Sequence, residues 1–206
     1  HYEYFSEWVK NRIEWLDNYY HTDEYKNGDF ITTRSWSNWG NWGGAPEKDI
    51  YGNDKTKDLM KKLKAYDGKV KLVSAGAPGF GGEGPENLFD GSAGSKYCYE
   101  VDRGNENEVV FSLEKAFTAK AYALRTANDT SSYNERNPDK WVLYGRNSDN
   151  DEWVIIDQVD DGEKQLDPVD YTLYVFEIDN PASYKQYKLW VKNDGIMQLS
   201  DLILLG

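Results

Sequence analysis

The hydrophobic rhythm of this chain changes once, at Lys69. Within residues 3–20, Phe5, Trp8, Val9, Ile13, Trp15, Leu16 and Tyr20 recur mainly at helical spacing, with Glu, Lys and Arg between them. That pattern predicts an amphipathic helix. Gly28 and the run Ser35–Gly44 then break any period, and Trp36, Trp39 and Trp42 stand three apart among Gly, Asn and Ser as an aromatic loop. Lys55–Tyr66 predicts a second, short helix with Leu59, Met60 and Leu63 inward and Gly68 closing it. After Lys69 the period is two. Short apolar runs separated by Gly, Asn, Asp and Pro predict strands at Lys69–Val73, Glu108–Leu113, Lys120–Thr126, Lys140–Arg146, Glu152–Gln158, Thr172–Ile178, Tyr184–Lys192 and Met197–Leu204. About eight such strands with no helix between them predict an all-β fold, an antiparallel β-sandwich or jelly roll over residues 69–206. Residues 1–68 form an N-terminal helical, Trp-rich appendage expected to pack on that sandwich, since an exposed triple Trp invites aggregation.

Composition narrows the partners. At 206 residues with 39% hydrophobic side chains, the chain can bury one good core. Eight Trp and sixteen Tyr exceed what packing usually needs, so either the β-faces are unusually aromatic or rings are offered to ligands. A net charge of −12 disfavours nucleic acid and anionic lipid, because no basic stripe exists to displace counterions. Run Asp160–Glu163 is read as a solvated acidic loop. One cysteine excludes an internal disulfide, and Cys98, in Tyr97-Cys98-Tyr99, is expected to be a buried strand thiol. No 18-residue apolar run is long enough to span a membrane. The chain begins without Met, and we expect it to be a piece of a longer protein.

The segment Asn87–Tyr97 is the strongest candidate for chemistry. Asp90 and Ser95 put a carboxylate and a hydroxyl five residues apart, while Gly91 and Gly94 allow sharp turns. Hard cations such as calcium take six to eight oxygens, and Asp201 near the C-terminus is a further donor of the right type. An ordinary Asp-Gly turn between strands is the competing reading.

Markers in order carry a resemblance: Asn87-Leu-Phe-Asp-Gly with Ser95-Lys-Tyr97, Ala127-Asn-Asp-Thr130, Arg136-Asn-Pro-Asp-Lys-Trp141, Leu143–Asp149 with Glu152-Trp153, Tyr184–Leu189 and Gln198–Gly206. Over residues 69–206 this order resembles coagulation factor 5/8 type C (discoidin, galactose-binding-like) domains, and more narrowly the bacterial family 32 carbohydrate-binding modules. The resemblance implies an eight-stranded jelly roll, one structural calcium ion, and a sugar site on loops at one end. It implies calcium ligands at the Asn87 carbonyl, Asp90, a carbonyl near Ser92, Ser95, and the Ser200–Asp201 pair. Ser95 stands where the family usually has Thr. Asp201 stands where Glu is usual, which keeps the charge and shortens the reach by one methylene.

A sugar ring has an apolar C–H face and a rim of hydroxyls, so its site combines an aromatic platform with polar side chains. Asn128, Asp129, Tyr133 and Arg136 offer these types in one long loop, and Phe80 and Glu83 in the Gly76–Gly84 loop are placed to line the same rim. Asp129 and Arg136 are alternatively a pair that pins the loop. Relatives that bind galactose usually carry a loop His, whereas both histidines here, His1 and His21, lie outside the β-region. Residues 8–17 faintly resemble the closing helix of CotH-like domains.

These readings lead to a non-catalytic, calcium-stabilised module that holds a secreted or cell-surface bacterial protein against polysaccharide or glycan, as a monomer within a larger chain. The expected partner is carbohydrate, with neither nucleic acid nor membrane insertion. A protein-interaction or adhesion module is the alternative. Part of a glycan-active enzyme is a third reading, but no Ser-His-Asp or Cys-His set exists in a β-region without His. A copper site at His1 and His21 is the remaining enzymatic option.

Overall fold

The computed structural model describes residues 45–99, 106–160 and 165–206, all within one unit spanning Asn41–Gly206. The predicted helix at residues 3–20, the Trp36–Trp42 loop, His1 and His21 lie outside the described residues, as do 161–164.

Eleven strands and one α-helix are described: β1 (Ile50–Tyr51), α1 (Asp54–Lys62), β2 (Val70–Ser74), β3 (Tyr97–Tyr99), β4 (Glu106–Thr118), β5 (Ala121–Arg125), β6 (Lys140–Arg146), β7 (Val154–Val159), β8 (Thr172–Glu177), β9 (Ser183–Lys192), β10 (Met197–Leu199) and β11 (Asp201–Leu205). One sheet runs β2-β4-β9-β6-β7 and the other β1-β8-β5-β11, with a short β3–β10 ribbon beside them. All pairings are antiparallel except β1 with β8. The expected sandwich is therefore present, with the two-residue β1 added, which is too short to show a period.

Alternation explains the core. Phe111, Leu113, Trp141, Leu143, Tyr187 and Leu189 from the five-stranded sheet meet Tyr122, Leu124, Tyr174, Leu202 and Leu204 from the other in one buried cluster. Strand β5 is buried at every position. Its even residues face that core, while Ala121 and Ala123 join Leu173, Val175 and Leu205 in a second cluster against Leu59, Met60 and Leu63. The small Ala side chains let α1 approach the outer face of the four-stranded sheet closely. Leu59, Met60 and Leu63 thus point inward as their spacing predicts.

The helix stops earlier than its sequence pattern indicates. Asn53 caps its start by accepting the Thr56 N–H at 2.8 Å, but Leu63 is already extended. The next backbone groups pair with the chain end instead: Lys64 and Gly206 exchange both N–H···O bonds, and Tyr66 N–H donates to the Leu204 carbonyl. Strand-like pairing to β11 replaces the last predicted turn, before Gly68 is reached. Residues 50–66 are thereby hydrogen-bonded into the same sheet as the C-terminal strand.

Much of the aromatic surplus is interior. Trp141 Nε1 donates to the Tyr122 hydroxyl at 2.7 Å, and that hydroxyl donates to Asp157 at 2.6 Å, which links the two sheets. Tyr97 donates to the Gly76 carbonyl and Tyr187 to the Phe117 carbonyl. Each buried ring carries its polar tip to a partner, as desolvated hydroxyls require.

Candidate loop-end site

Two of the sequence-predicted sites abut at one end of the sandwich, on either side of the segment Asp90–Lys96. Gly91 has φ +73°, a left-handed conformation that favours glycine, so the turn after Asp90 depends on it. Gly94 has no such requirement. Asp90 Oδ1 accepts the Ser92 N–H at 2.8 Å, and the Ser95 hydroxyl reaches Asp90 Oδ2 at 2.6 Å and the Ser92 carbonyl at 2.9 Å. Three oxygens therefore converge around one hydroxyl proton. Asn87 staples the loop, its amide donating to the carbonyls of Gly82 and Lys96.

The terminal strand reaches this loop. Ser200 Oγ lies 3.5 Å from the Ala93 carbonyl, and the Asp90 charge helps to raise the pKa of Asp201. Asp201, however, is not simply free to serve a cation. Arg125, opposite it on β5, donates from Nε to Asp201 Oδ2 at 2.5 Å, from Nη2 to Asp49 at 2.8 Å, and from Nη1 to the Tyr171 carbonyl. Burial is the largest influence on the Asp201 carboxyl and pushes its pKa up, against the opposing pull of Arg125. Arg125 thus pairs with Asp49 and Asp201, while Asp90 makes its contacts within its own loop. The carboxylate, hydroxyl and carbonyl oxygens of the predicted set are donors of the type a divalent hard cation takes. Asn87, Asp90, Ser92, Ser95, Ser200 and Asp201 would hold it, with Arg125 fixing one oxygen of Asp201. Among the described residues no group of three or more His, Cys, Asp or Glu stands out as a metal cluster, so backbone and hydroxyl oxygens would have to complete the shell.

On the other side, the Phe80–Glu83 turn is hydrogen-bonded to both flanks of Cys98: Gly79 N–H donates to the Cys98 carbonyl, and Cys98 N–H to the Glu83 carbonyl. Gly82, at φ +81°, turns this loop. Lys96 is buried and places its ammonium 2.6 Å from Asp129 Oδ2, 3.1 Å from Gln198 Oε1 and 3.7 Å from Glu83 Oε1. Asn128 Nδ2 reaches the Gly94 carbonyl at 3.4 Å, so the two sites share a wall.

Arg136 does not pair with Asp129. Its guanidinium lies 3.8 Å from the Tyr133 ring centroid. The loop is pinned by others, since Asp170 accepts the Ser131 N–H and hydroxyl and Asn193 donates to the Glu135 carbonyl. The Asp129–Arg136 pair is therefore not formed, and Asp129 is held by Lys96 instead. Phe80 and Tyr133 are 43% and 41% exposed, which makes them available as ring platforms.

Five atoms in this region are buried without a hydrogen-bond partner: Glu83 Oε2, Asn128 Oδ1, Asp129 Oδ1, Thr130 Oγ1 and Gln198 Nε2. Such groups are costly and uncommon in native interiors. Cys98 sits among them, buried and free. Desolvation first, and Glu83 next, push its thiol up to about 12 against Lys96 and Arg136, so it is no nucleophile.

Sequence reading missed Lys96, Gln198, Arg125 and Asp49. Arg125 left a signal, a lone charge closing the apolar run Ala121–Leu124, which a carboxylate had to meet. Lys96 left none, because nothing local shows that its stem is covered.

No protein-family model matches the chain, and no curated protein does. Solved structures do. The family 32 carbohydrate-binding module of Streptococcus pneumoniae EndoD is 16% identical, at TM-score 0.52 over 68% of this chain and 98% of that one. The galactose complex of the family 32 module of Clostridium perfringens NanJ is 14% identical, at TM-score 0.51 over 66% and 93%. An F5/8 type C domain from Bacteroides fragilis is 14% identical, at TM-score 0.56 over 69% and 95%. The chain has the fold of the family 32 carbohydrate-binding modules. At these identities the likeness fixes the architecture of the module, and its loop residues must be argued from their own chemistry.

Proposed function

We propose that this chain is a non-catalytic carbohydrate-binding module that anchors a longer, extracellular or cell-surface bacterial protein to polysaccharide or glycan. The observation that carries this reading is the loop-end cluster. Glu83, Asn128, Asp129 and Gln198 hold unpartnered polar atoms beside the exposed Tyr133 ring and Arg136, with Phe80 exposed on the neighbouring loop. A sugar would exchange hydrogen bonds with the polar side chains of these loops, and its C–H face would rest on a ring. The fold supports the reading, since the NanJ module of the same architecture is a complex with galactose.

A structural calcium at Asn87, Asp90, Ser92, Ser95, Ser200 and Asp201 belongs to this proposal. It would neutralise the surplus carboxylate charge and tie the first loops to the last strand. The module acts as a monomer of weak intrinsic affinity, with avidity coming from sister modules. Affinity electrophoresis in gels containing plant and mucin polysaccharides tests it: retardation is expected, and Tyr133→Ala with Arg136→Ala should abolish it. No retardation by any glycan, with folded and calcium-loaded protein, would remove the proposal.

One observation favours a protein partner instead. The edge strand β7 exposes Val154 and Ile155 at 49% and 57%, an apolar margin open to another chain. Capture of a glycan-stripped matrix protein, lost in Val154→Lys, would support that reading.

A further inference from the structure

Among the described residues, Arg136 is the one arginine that no carboxylate meets. Arg125 pairs with Asp49 and Asp201, and Arg146 with Asp149, all within 3.0 Å. The Arg136 guanidinium has neither an ion pair nor a hydrogen bond among the described residues; its central carbon lies over the Tyr133 ring, 3.8 Å from the centroid. We infer that this guanidinium receives the carboxylate of an acidic sugar, so that the module prefers uronic acids to their neutral counterparts, which rests on the proposed glycan site and names its substrate class.

The acidic side chains of the site are taken by another cation. Buried Lys96 holds Asp129 at 2.6 Å and has Glu83 at 3.7 Å. Glu135 and Asp139, the exposed neighbours of Arg136 in the chain, form no ion pair with it. Arg136 nevertheless stands at the same loop end, since its charge acts on Cys98 together with those of Glu83 and Lys96. A chain of net charge −12 thus leaves one half-buried arginine unneutralised beside the residues proposed to meet sugar.

The turn that presents this charge is pinned on both sides. Arg136 N–H donates to the Tyr133 carbonyl, Asn193 donates to the Glu135 carbonyl, and the buried Asn137 amide reaches the Leu166 and Asp167 carbonyls. Ring and guanidinium are therefore set before a ligand arrives, which lowers the ordering cost of binding. Stacking occupies the face of a guanidinium, whereas its N–H groups point outward in its plane. A carboxylate takes two of them in parallel, and a sugar hydroxyl, with one oxygen and no charge, does not match that pair. Distant acidic residues matter little, because charges beyond about 8 Å are largely screened at physiological salt. The near opponent is Glu83, whose charge works against an incoming anion.

Matched monosaccharides test this on the full chain with calcium present. Galactose and glucose would each be titrated beside galacturonic and glucuronic acid, by saturation-transfer NMR and calorimetry, at low and at high salt. At low salt at least one uronic acid should bind about tenfold or more tightly than its neutral partner. Added sodium chloride should shrink that ratio. Arg136→Gln keeps an amide donor without the charge and should bring the ratio to about one, while Arg136→Lys, which keeps the charge but not the fork, should fall between. Glu83→Gln should raise the ratio. Thermal unfolding checks that each variant is folded, and Glu83→Gln carries the test should Arg136→Gln unfold. Acetate alone should not displace the uronic acid at equal concentration; if it does, the site is a bare anion site and the acidic-sugar preference falls. Equal affinity for acid and neutral sugar in the wild-type protein, or a ratio unmoved by Arg136→Gln, would overturn the carboxylate receptor while leaving glycan binding intact. Binding of none of the sugars by folded protein would overturn the glycan site and the receptor with it.

Discussion

At the residue scale, the tyrosines decide how this protein meets alkali. Burial raises Tyr97 and Tyr187 to about 12, and it raises Tyr122 well above its usual value, with Asp157 adding to the effect. A phenol whose folded pKa lies above its unfolded value near 10 favours the folded state while protonated. That contribution is complete below pH 10 and disappears as pH rises from there toward 12. Absorbance titration at the phenolate band should show these rings ionising together with loss of near-ultraviolet circular dichroism, as one steep step. A gradual titration from pH 9 with the fold intact would show that the hydroxyls are not sealed in the core. Residue type was legible here while residue fate was not. An excess of Tyr fitted both a packed interior and a ligand surface, and only placement separated Tyr122 and Tyr187, each 0% exposed, from Tyr133 at 41%.

At the element scale, α1 is held by more than its apolar stripe. Strand β1 covers the edge of β8 only as far as Tyr51, and the buried Thr56 hydroxyl then accepts the Val175 N–H at 3.1 Å. A helix side chain thus completes a sheet edge that would otherwise bury an unpaired donor. Thr56→Val should destabilise by about 1–3 kcal/mol, the cost of a stranded N–H. Asn53→Ala should cost about 1 kcal/mol through loss of the cap. Denaturant unfolding of both variants measures this, and a Thr56→Val effect no larger than an exposed Thr substitution would contradict the arrangement. The period of two located the main strands, because each has one face in the core. It overlooked β1, which is two residues long and cannot express a period, and it joined β10 and β11, which part at Ser200, into one strand. The end of α1 was misplaced because Lys64 and Tyr66 pair with β11, a partner about 140 residues away in sequence.

On the scale of the whole molecule, Arg125 ties Asp49, just before the first strand, to Asp201 on the last one, and the charge of the Asp90 loop is felt at Asp201. Calcium there would bind folded chain only. At a hundredfold excess over its dissociation constant, it should add about 2.7 kcal/mol and roughly 5–10 °C to the midpoint of thermal unfolding. Removal with a chelator should reverse the shift. Because burial raises the Asp201 pKa, protons compete with the ion, so the calcium increment should shrink as pH falls through the acid range. Calorimetry with and without calcium at several pH values checks this. An increment that is absent throughout would mean that Arg125 alone closes the clasp.

The candidate site divides along the same line. Its residue types were open to inspection: an Asp–Ser pair on a Gly turn, carboxylates and an arginine beside Tyr133, and an aromatic near a Gly-rich bend. The sequence alone determined the sandwich, the inward face of α1 and the chemistry gathered in three loops, since periodicity and turn residues act locally. Only the tertiary structure decided that Lys96 takes Asp129 and that Arg125 takes Asp201. Each of those choices follows from which buried charges strand pairing and loop packing bring within reach, a distance that no run of adjacent residues encodes.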